Sequence, residues 1–542
     1  MKRMKIKSIA ILVIWMGGIA SLLAQTDSVQ TQHVTVTRTY EPTVRDAGKI
    51  DRNPPATVDV PVRKTPIEYR LPDVEAVSTF ETGPGKLVRP VVRLEQFDER
   101  PGYGEWAVGY PLWIKGGGGF VHESYSGWKW AGEGRFDYRA PYRNKSYAFG
   151  HDLNMQLGGV ALKDYTSGIK TRYRLDYTLT GAVWRDTLDP AFNTGEAFAW
   201  HGLHPHADIR TGRNFLEQAA LDYYLTAGRE LGEHIVSLKG QSVVPLEGFR
   251  ILTGWELNER YGRYDGGSYS NFYAGLLPSL RLEKEKLLFN LGFKLYYQNR
   301  ADVNDRWLFY PDVSVDFRMI DEYLTVYARY TGGLQNKGYR EWTGELPWIA
   351  PVADGRPVSN AYRLAGGFKG ALSSQMAYVI ELGAGRFNNY PFLVYSPWGD
   401  RVAFSWLYDS MDDYYFNVLL AYVIPEQFET KVRFHYAQYS PRTLKRAYNM
   451  PDYLVDWLMR FKLKKFTWES TLRYIGPRFD LVDGREVKLD DFADVNLKWN
   501  YEILPRLNLY LQGENLAVRS YMMYWNTPRR PLQVAVGAFY SF

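Results

Sequence analysis

The residues best suited to chemistry stand in one short stretch. His201, His204, His206 and Asp208 follow the spacing H-x-x-H-x-H-x-D and hold three of the chain's eight histidines. Neutral imidazoles at that density can ligate zinc, nickel, copper or a haem iron. Gly202 and Pro205 exclude a helix-borne zinc motif and put the cluster in a loop or at a strand end. Without a carboxylate contributed from elsewhere, its plain reading is a polar patch and its sharper reading a metal site. Two acidic groups, Asp409 with Asp412 and Asp413, and Asp302 with Asn304 and Asp305, offer oxygen ligands to a hard cation or are solvated acids. The run Gly116 to Gly119 lacks the Lys-Ser/Thr and the following helix of a phosphate-binding loop, so tight backbone packing or a bend accounts for it. No G-x-S-x-G nucleophile elbow occurs. With no Cys there is no thiolate metal site, disulfide framework, catalytic thiol or lipoprotein anchor. The expectation is a protein that is not an enzyme and has no cofactor.

Charge narrows the partners. Of 66 Lys and Arg, four (Lys2, Arg3, Lys5 and Lys7) stand at the start, leaving 62 against 60 Asp and Glu. A body that close to neutral, with no basic block, has no electrostatic footprint for nucleic acid. Residues 1–24 read as a secretory signal peptide: a basic start, an apolar run from Ile9 to Leu23 interrupted by Gly17 and Gly18, then Ala24 before Gln25. That run is shorter than the roughly 20 apolar residues a membrane-spanning helix needs. Residues 25–103 carry Pro42, Pro54, Pro55, Pro61, Pro66, Pro72, Pro84, Pro90 and Pro101 between short β-branched runs. Each proline removes a ladder donor, so this segment is expected to be extended, in the periplasm or the lumen of a barrel.

The elements that position everything else lie in residues 104–542, where alternating stretches meet at tight polar turns and are separated by longer loops. Leu287, Phe289, Leu291, Phe293, Leu295 and Tyr297 form one apolar face, and Ala274, Leu276, Leu280 and Leu282 face them across a Glu-Lys-Glu-Lys tip. The pattern recurs at 313–330, 457–474 and 495–511. Longer loops are expected at 332–360, 387–400, 440–451 and 516–530. Short turns on one side, long loops on the other and no internal linker predict an all-β transmembrane antiparallel barrel of about eighteen strands, within a range of 14 to 22. Polar positions of these strands, Lys294, Asp316, Arg318, Arg329, Lys498 and Gln512, are candidates for lining its lumen. The last stretch alternates Leu532, Val534, Val536, Ala538, Tyr540 and Phe542. In a closed barrel it must pair with the first strand.

Two segments carry a family likeness. Val34-Thr35-Val36-Thr37-Arg38-Thr39, followed by Pro42, Val44 and Asp46, resembles the TonB-box-like segment of TonB-dependent receptors. Gln512-Gly513-Glu514-Asn515-Leu516, continued through Pro528-Arg529-Arg530 to Phe542, resembles their last strands, with Tyr540 and Phe542 as the barrel-insertion signal. The resemblance implies a Gram-negative outer-membrane barrel for solute uptake or surface ligand binding. Its implied partners are outer-membrane lipid, the barrel assembly machinery, an unidentified small solute, and TonB or other outer-membrane subunits. Members of that family hold a globular plug in their barrel; the short Pro-rich stretch here implies a shortened relative without a full plug. Two other readings are an accessory barrel subunit of a larger outer-membrane complex and a barrel hydrolase.

Overall fold

A strand with one apolar and one polar face satisfies its backbone only if both edges find partners. In the computed structural model this requirement is met by closing a ring. The structure describes residues 101–143, 148–183, 197–213, 215–300, 306–336, 338–343, 346–350, 356–396, 403–518 and 521–542. The signal-peptide and TonB-box-like readings lie outside these residues, as do the acids of the 302–305 segment. Twenty-two antiparallel strands form one sheet. The first strand, Gly102–Tyr110, pairs with the last, Gln533–Ser541, from Tyr103 opposite Ser541 to Tyr110 opposite Val534. Gly102 and Phe542 extend this seam with reciprocal backbone bonds of 3.0 and 2.9 Å. The all-β closed barrel read from the alternation is therefore the fold.

Individual registers follow the alternation too. Phe289 stands opposite Leu282, Leu291 opposite Leu280, Leu295 opposite Leu276 and Tyr297 opposite Ala274. The ring has 22 strands, the top of the expected range and above the central figure of eighteen. Between Asp152 and Tyr264 lie six long strands of the ring. Some are joined by reversals as tight as Glu247-Gly248, where Gly248 takes a φ of 84°. Turns that short leave no polar gap in the sequence. One expected loop is corrected: strand Met376–Tyr395 runs through 387–395 and pairs with Phe404–Ile424 across an irregularity at Asn389. Its polar and aromatic residues there look like loop composition but continue the ladder.

Along most of the ring the two faces are divided. Trp106 is 63% exposed and Val536 61%, and Leu364 and Leu382 are exposed on the same outward side. The inward side buries Glu233, Arg260, Tyr327, Glu381, Asp413 and Tyr415. Connections at the end holding Gly102 and Ser541 are tight, as at Glu285-Lys286 and Lys464-Lys465. The opposite end carries the long segments, including the short helix Tyr339–Thr343 and the hairpin Arg478–Val482 with Arg485–Leu489. Phe404–Ile424 has 21 residues, about twice the 9–11 that cross a bilayer core.

A side chain added at Gly537 in the closing strand would meet the Tyr510 ring at 2.3 Å and the Trp106 carbonyl oxygen at 2.6 Å. Because the second contact is backbone of the first strand, Gly537→Val is expected to destabilise closure by about 1–3 kcal/mol. The check is the urea midpoint at which the unboiled protein loses its compact gel mobility; an unchanged midpoint contradicts this account of the seam.

Candidate functional site

Three groups of side chains gather on the inner wall and over its loop end. The first straddles the closing seam. Tyr510 donates its hydroxyl to Glu105 at 2.6 Å, and Lys115 and Lys498 approach the same carboxylate at 3.9 and 3.7 Å. Lys115 donates to Gln512 (3.1 Å), and Gln512 donates to Glu514 (3.2 Å). The buried Arg139 guanidinium donates to Glu514 (3.0 Å), Asp137 (3.1 Å) and Gln533 (2.6 Å) and lies over the Trp113 ring. These residues come from six strands that are adjacent only once the ring closes. Lys498 and Gln512 were singled out from sequence; Glu105, Lys115, Arg139 and Glu514 were not. Alternation would have identified them, but the glycine run 116–119 interrupts the pattern around Lys115.

Three of the other lumen candidates have partners among the described residues. Lys294 donates to the Gly332 carbonyl (3.0 Å) and lies 4.0 Å from Asp312. Asp316 pairs with Lys369 at 2.6 Å. Arg329 lies over the Tyr327 ring, and Tyr327 in turn donates to the buried Glu381 (2.9 Å), as does Tyr415 (3.1 Å). Arg318 sits exposed beside the tight turn at Asp321. Both charge signs are interspersed along this wall, so it presents no single-sign track. Of the acids considered for a hard cation, the three that are described have protein partners: Asp409 accepts backbone N–H groups of Ser410, Thr443 and Leu444, Asp412 pairs with Arg386, and Asp413 with Arg363.

The second group holds the histidines. They lie inside a strand, Ala197–Arg213, not in a loop. Alternation separates them: His204, His206 and Asp208 share one face, while His201 is exposed on the other, its Nδ1 2.8 Å from the Tyr177 hydroxyl. Neighbouring strands bring Asp222 and Asp176 to the shared face. Sequence reasoning missed both because each is a lone acid in an ordinary alternating stretch.

The third group covers the loop end. Tyr339, wholly buried, stacks on Trp200 (ring centroids 5.7 Å) and meets Trp406 edge-on (5.0 Å). Trp200 belongs to the sixth strand of the ring and Trp406 to the sixteenth, so the segment carrying Tyr339 bridges opposite walls. Glu233 anchors it, accepting from Arg260 (2.5 Å), Tyr269 (2.6 Å) and the Tyr339 N–H (2.8 Å). Residues 348–350 then bond to Phe404, and Trp200 donates to the Pro347 carbonyl (2.8 Å). A second knot centres on Asp480, whose carboxylate accepts N–H groups of Tyr395 (3.1 Å), Leu481 (2.8 Å) and Trp525 (3.3 Å) from three separate segments. Arg478 donates to the carbonyls of Met522 and Met523. Burial raises the Asp480 carboxyl above its ordinary value and lowers the Arg478 guanidinium to about 10.

Asp480→Ala strands the three N–H groups. Its expected effect is a local loss of about 1–3 kcal/mol, seen as faster proteolysis within 476–491 and 515–532 while the unboiled barrel keeps its gel mobility. Resistance equal to the parent protein contradicts the role given to Asp480.

No family model matches the chain, and no curated protein matches it. Solved structures do match its fold. The FrpB iron transporter from Neisseria meningitidis (F3-3 variant) superposes with a TM-score of 0.64 at 8% identity, covering 83% of this chain and 82% of the transporter. The copper transporter OprC gives 0.61 at 11%, covering 82% of both chains. The closed form of the ferric-catecholate import receptor Fiu from K12 E. coli gives 0.59 at 10%, again covering 82% of both. At such identities the likeness is one of fold.

Proposed function

We propose that this chain is an outer-membrane barrel of a Gram-negative cell that takes up, or binds at the surface, a small solute in the manner of TonB-dependent receptors. The observation that carries the reading is a closed 22-stranded ring with an apolar outside and a charged inside, whose loop end is bridged from wall to wall by Tyr339. In this reading the exposed face of Trp106 and Val536 lies against lipid, and the long loops face outward from the cell. Lys294, Asp316, Arg318, Arg329, Lys498 and Gln512 line the solute path. Tyr540 and Phe542 present the insertion signal to the barrel assembly machinery. Residues 1–24 direct export, residues 25–103 form a shortened periplasmic or lumenal segment in place of a full plug, and Val34 to Thr37 engage TonB. The superposed import receptors and metal transporters support the class of function, and the charged inner wall suits a polar solute.

Two experiments test this reading. In planar bilayers, Asp316→Asn combined with Lys498→Gln is expected to change single-channel conductance, because both charges flank the aqueous path. Identical currents in parent and variant remove these residues from it. In a pull-down with the periplasmic domain of TonB, the full-length protein is expected to be retained and a variant lacking residues 34–37 to be lost. Equal retention of the two refutes the coupling.

A further inference from the structure

We propose that His204, His206 and Asp222 form a binding site for a divalent transition metal on the inner wall of the barrel. Two imidazole nitrogens and a carboxylate oxygen lie within 4.8 Å of one another. Asp222 stands in register opposite His206 on the next strand, Leu216–Ala227. Its Oδ1 is 3.0 Å from His204 Nε2 and 2.7 Å from His206 Nδ1, and it also accepts the Tyr224 hydroxyl at 3.2 Å. The outer ring nitrogens face acids as well. His204 Nδ1 is 3.6 Å from Asp176 Oδ2, and His206 Nε2 is 3.2 Å from Asp208 Oδ2.

Counting protons shows what is missing. A neutral imidazole has one N–H, so two neutral rings satisfy two of these four contacts and set a lone pair against a carboxylate in the others. His204 Nδ1 is indeed buried without a hydrogen-bond partner. A dication among the three inner atoms removes both conflicts together. The inner nitrogens give their lone pairs to the metal, and each ring turns its N–H outward, His204 to Asp176 and His206 to Asp208. Outer carboxylates of this kind fix the tautomer of a ligating histidine and raise its basicity. Bonds of about 2.0–2.2 Å require only a slight widening of the present contacts. Pro205 lacks an N–H, and the ladder to Leu216–Ala227 is broken between Leu203 and His206, which leaves that edge room to adjust while the other edge stays paired with Lys170–Val183. Two nitrogens and one carboxylate favour zinc, nickel or copper over calcium or magnesium. Three protein ligands leave a coordination position for water or a donor atom on a solute. The site does not depend on the uptake reading, since it would bind metal whether or not anything passes through the barrel.

The test is calorimetric titration of the full-length protein in detergent with zinc chloride and, separately, calcium chloride. Zinc is expected to bind at one ion per chain. Asp222→Asn and His206→Gln should each weaken binding at least about tenfold, and Asp176→Asn, which among the histidine nitrogens faces only the outer one of His204 and also pairs with Arg174 at 2.6 Å, about 10–100-fold. His201→Gln, on the opposite face, should leave zinc affinity unchanged. Retained mobility on unboiled gels establishes that each variant is folded, and the near-isosteric Asp222→Asn and Asp176→Asn guard against a histidine variant that fails to fold. Three results overturn the site: no zinc binding; calcium binding as tight as zinc; or zinc affinity indifferent to Asp222→Asn.

Discussion

One constraint organises the molecule: every strand must find hydrogen-bond partners along both edges, and the only arrangement that leaves no edge is a closed ring. The bonds between Gly102 and Phe542 and the register from Tyr103 to Tyr110 complete it. Closure converts a one-dimensional alternation into an inside and an outside. Val536 and Trp106 turn outward because they are one residue out of phase with Ala535 and Glu105, and the alternation continues around the ring, interrupted at local bulges such as the one at Asn389. A slip of one residue anywhere would exchange the two faces of that strand.

Having an inside creates a second problem, since charges turned inward lose part of their water. The wall answers it with pairing. Glu105 is met by two lysines and a tyrosine, Arg139 by two carboxylates and an amide, and Glu233 by an arginine, a tyrosine and a backbone N–H. A partly buried charge left alone is costly, whereas a paired and hydrogen-bonded one is tolerated. The partners of Glu233 and Asp480 include loop backbone. The groups that keep the wall neutral and satisfied therefore also hold the cover over its loop end.

What could be read beforehand divides along the same line. The outer face was legible because period-two hydrophobicity is local: Leu287 to Tyr297 found the partner strand expected for them, although the tip is tighter than read, with Glu283 and Lys284 paired in the ladder. The closing pair was legible because a barrel allows no other use for the final strand. Strand number was not, since a two-residue reversal such as Glu247-Gly248 between long strands leaves almost no mark in the sequence. Neither was the company that inner residues keep. His206 meets Asp222 across 16 residues of chain and Arg139 meets Glu514 across 375, and nothing in either local sequence anticipates the partner. The histidine cluster shows both outcomes. Its spacing drew notice, yet alternation removes His201 from it and neighbouring strands bring in two acids that spacing could not provide.

The cover and the wall are joined at that same cluster. Arg340, in the short helix Tyr339–Thr343, lies 4.0 Å over the Tyr224 ring, and Tyr224 stacks on His204 at 4.0 Å while donating to Asp222. Tyr339, the preceding residue, is the bridge between the Trp200 and Trp406 walls. Adjacent residues of one helix thus engage the hydrophobic span across the mouth and the polar cluster beneath it. Displacing the helix would disturb the contact of Arg340 with Tyr224, and shifting Tyr224 as a whole would disturb its hydroxyl's bond to Asp222. Interiors packed at van der Waals contact transmit such displacements instead of absorbing them. The cover's helix and the surroundings of His204 are consequently joined by one continuous run of contacts, from Arg340 through Tyr224 to His204 and Asp222.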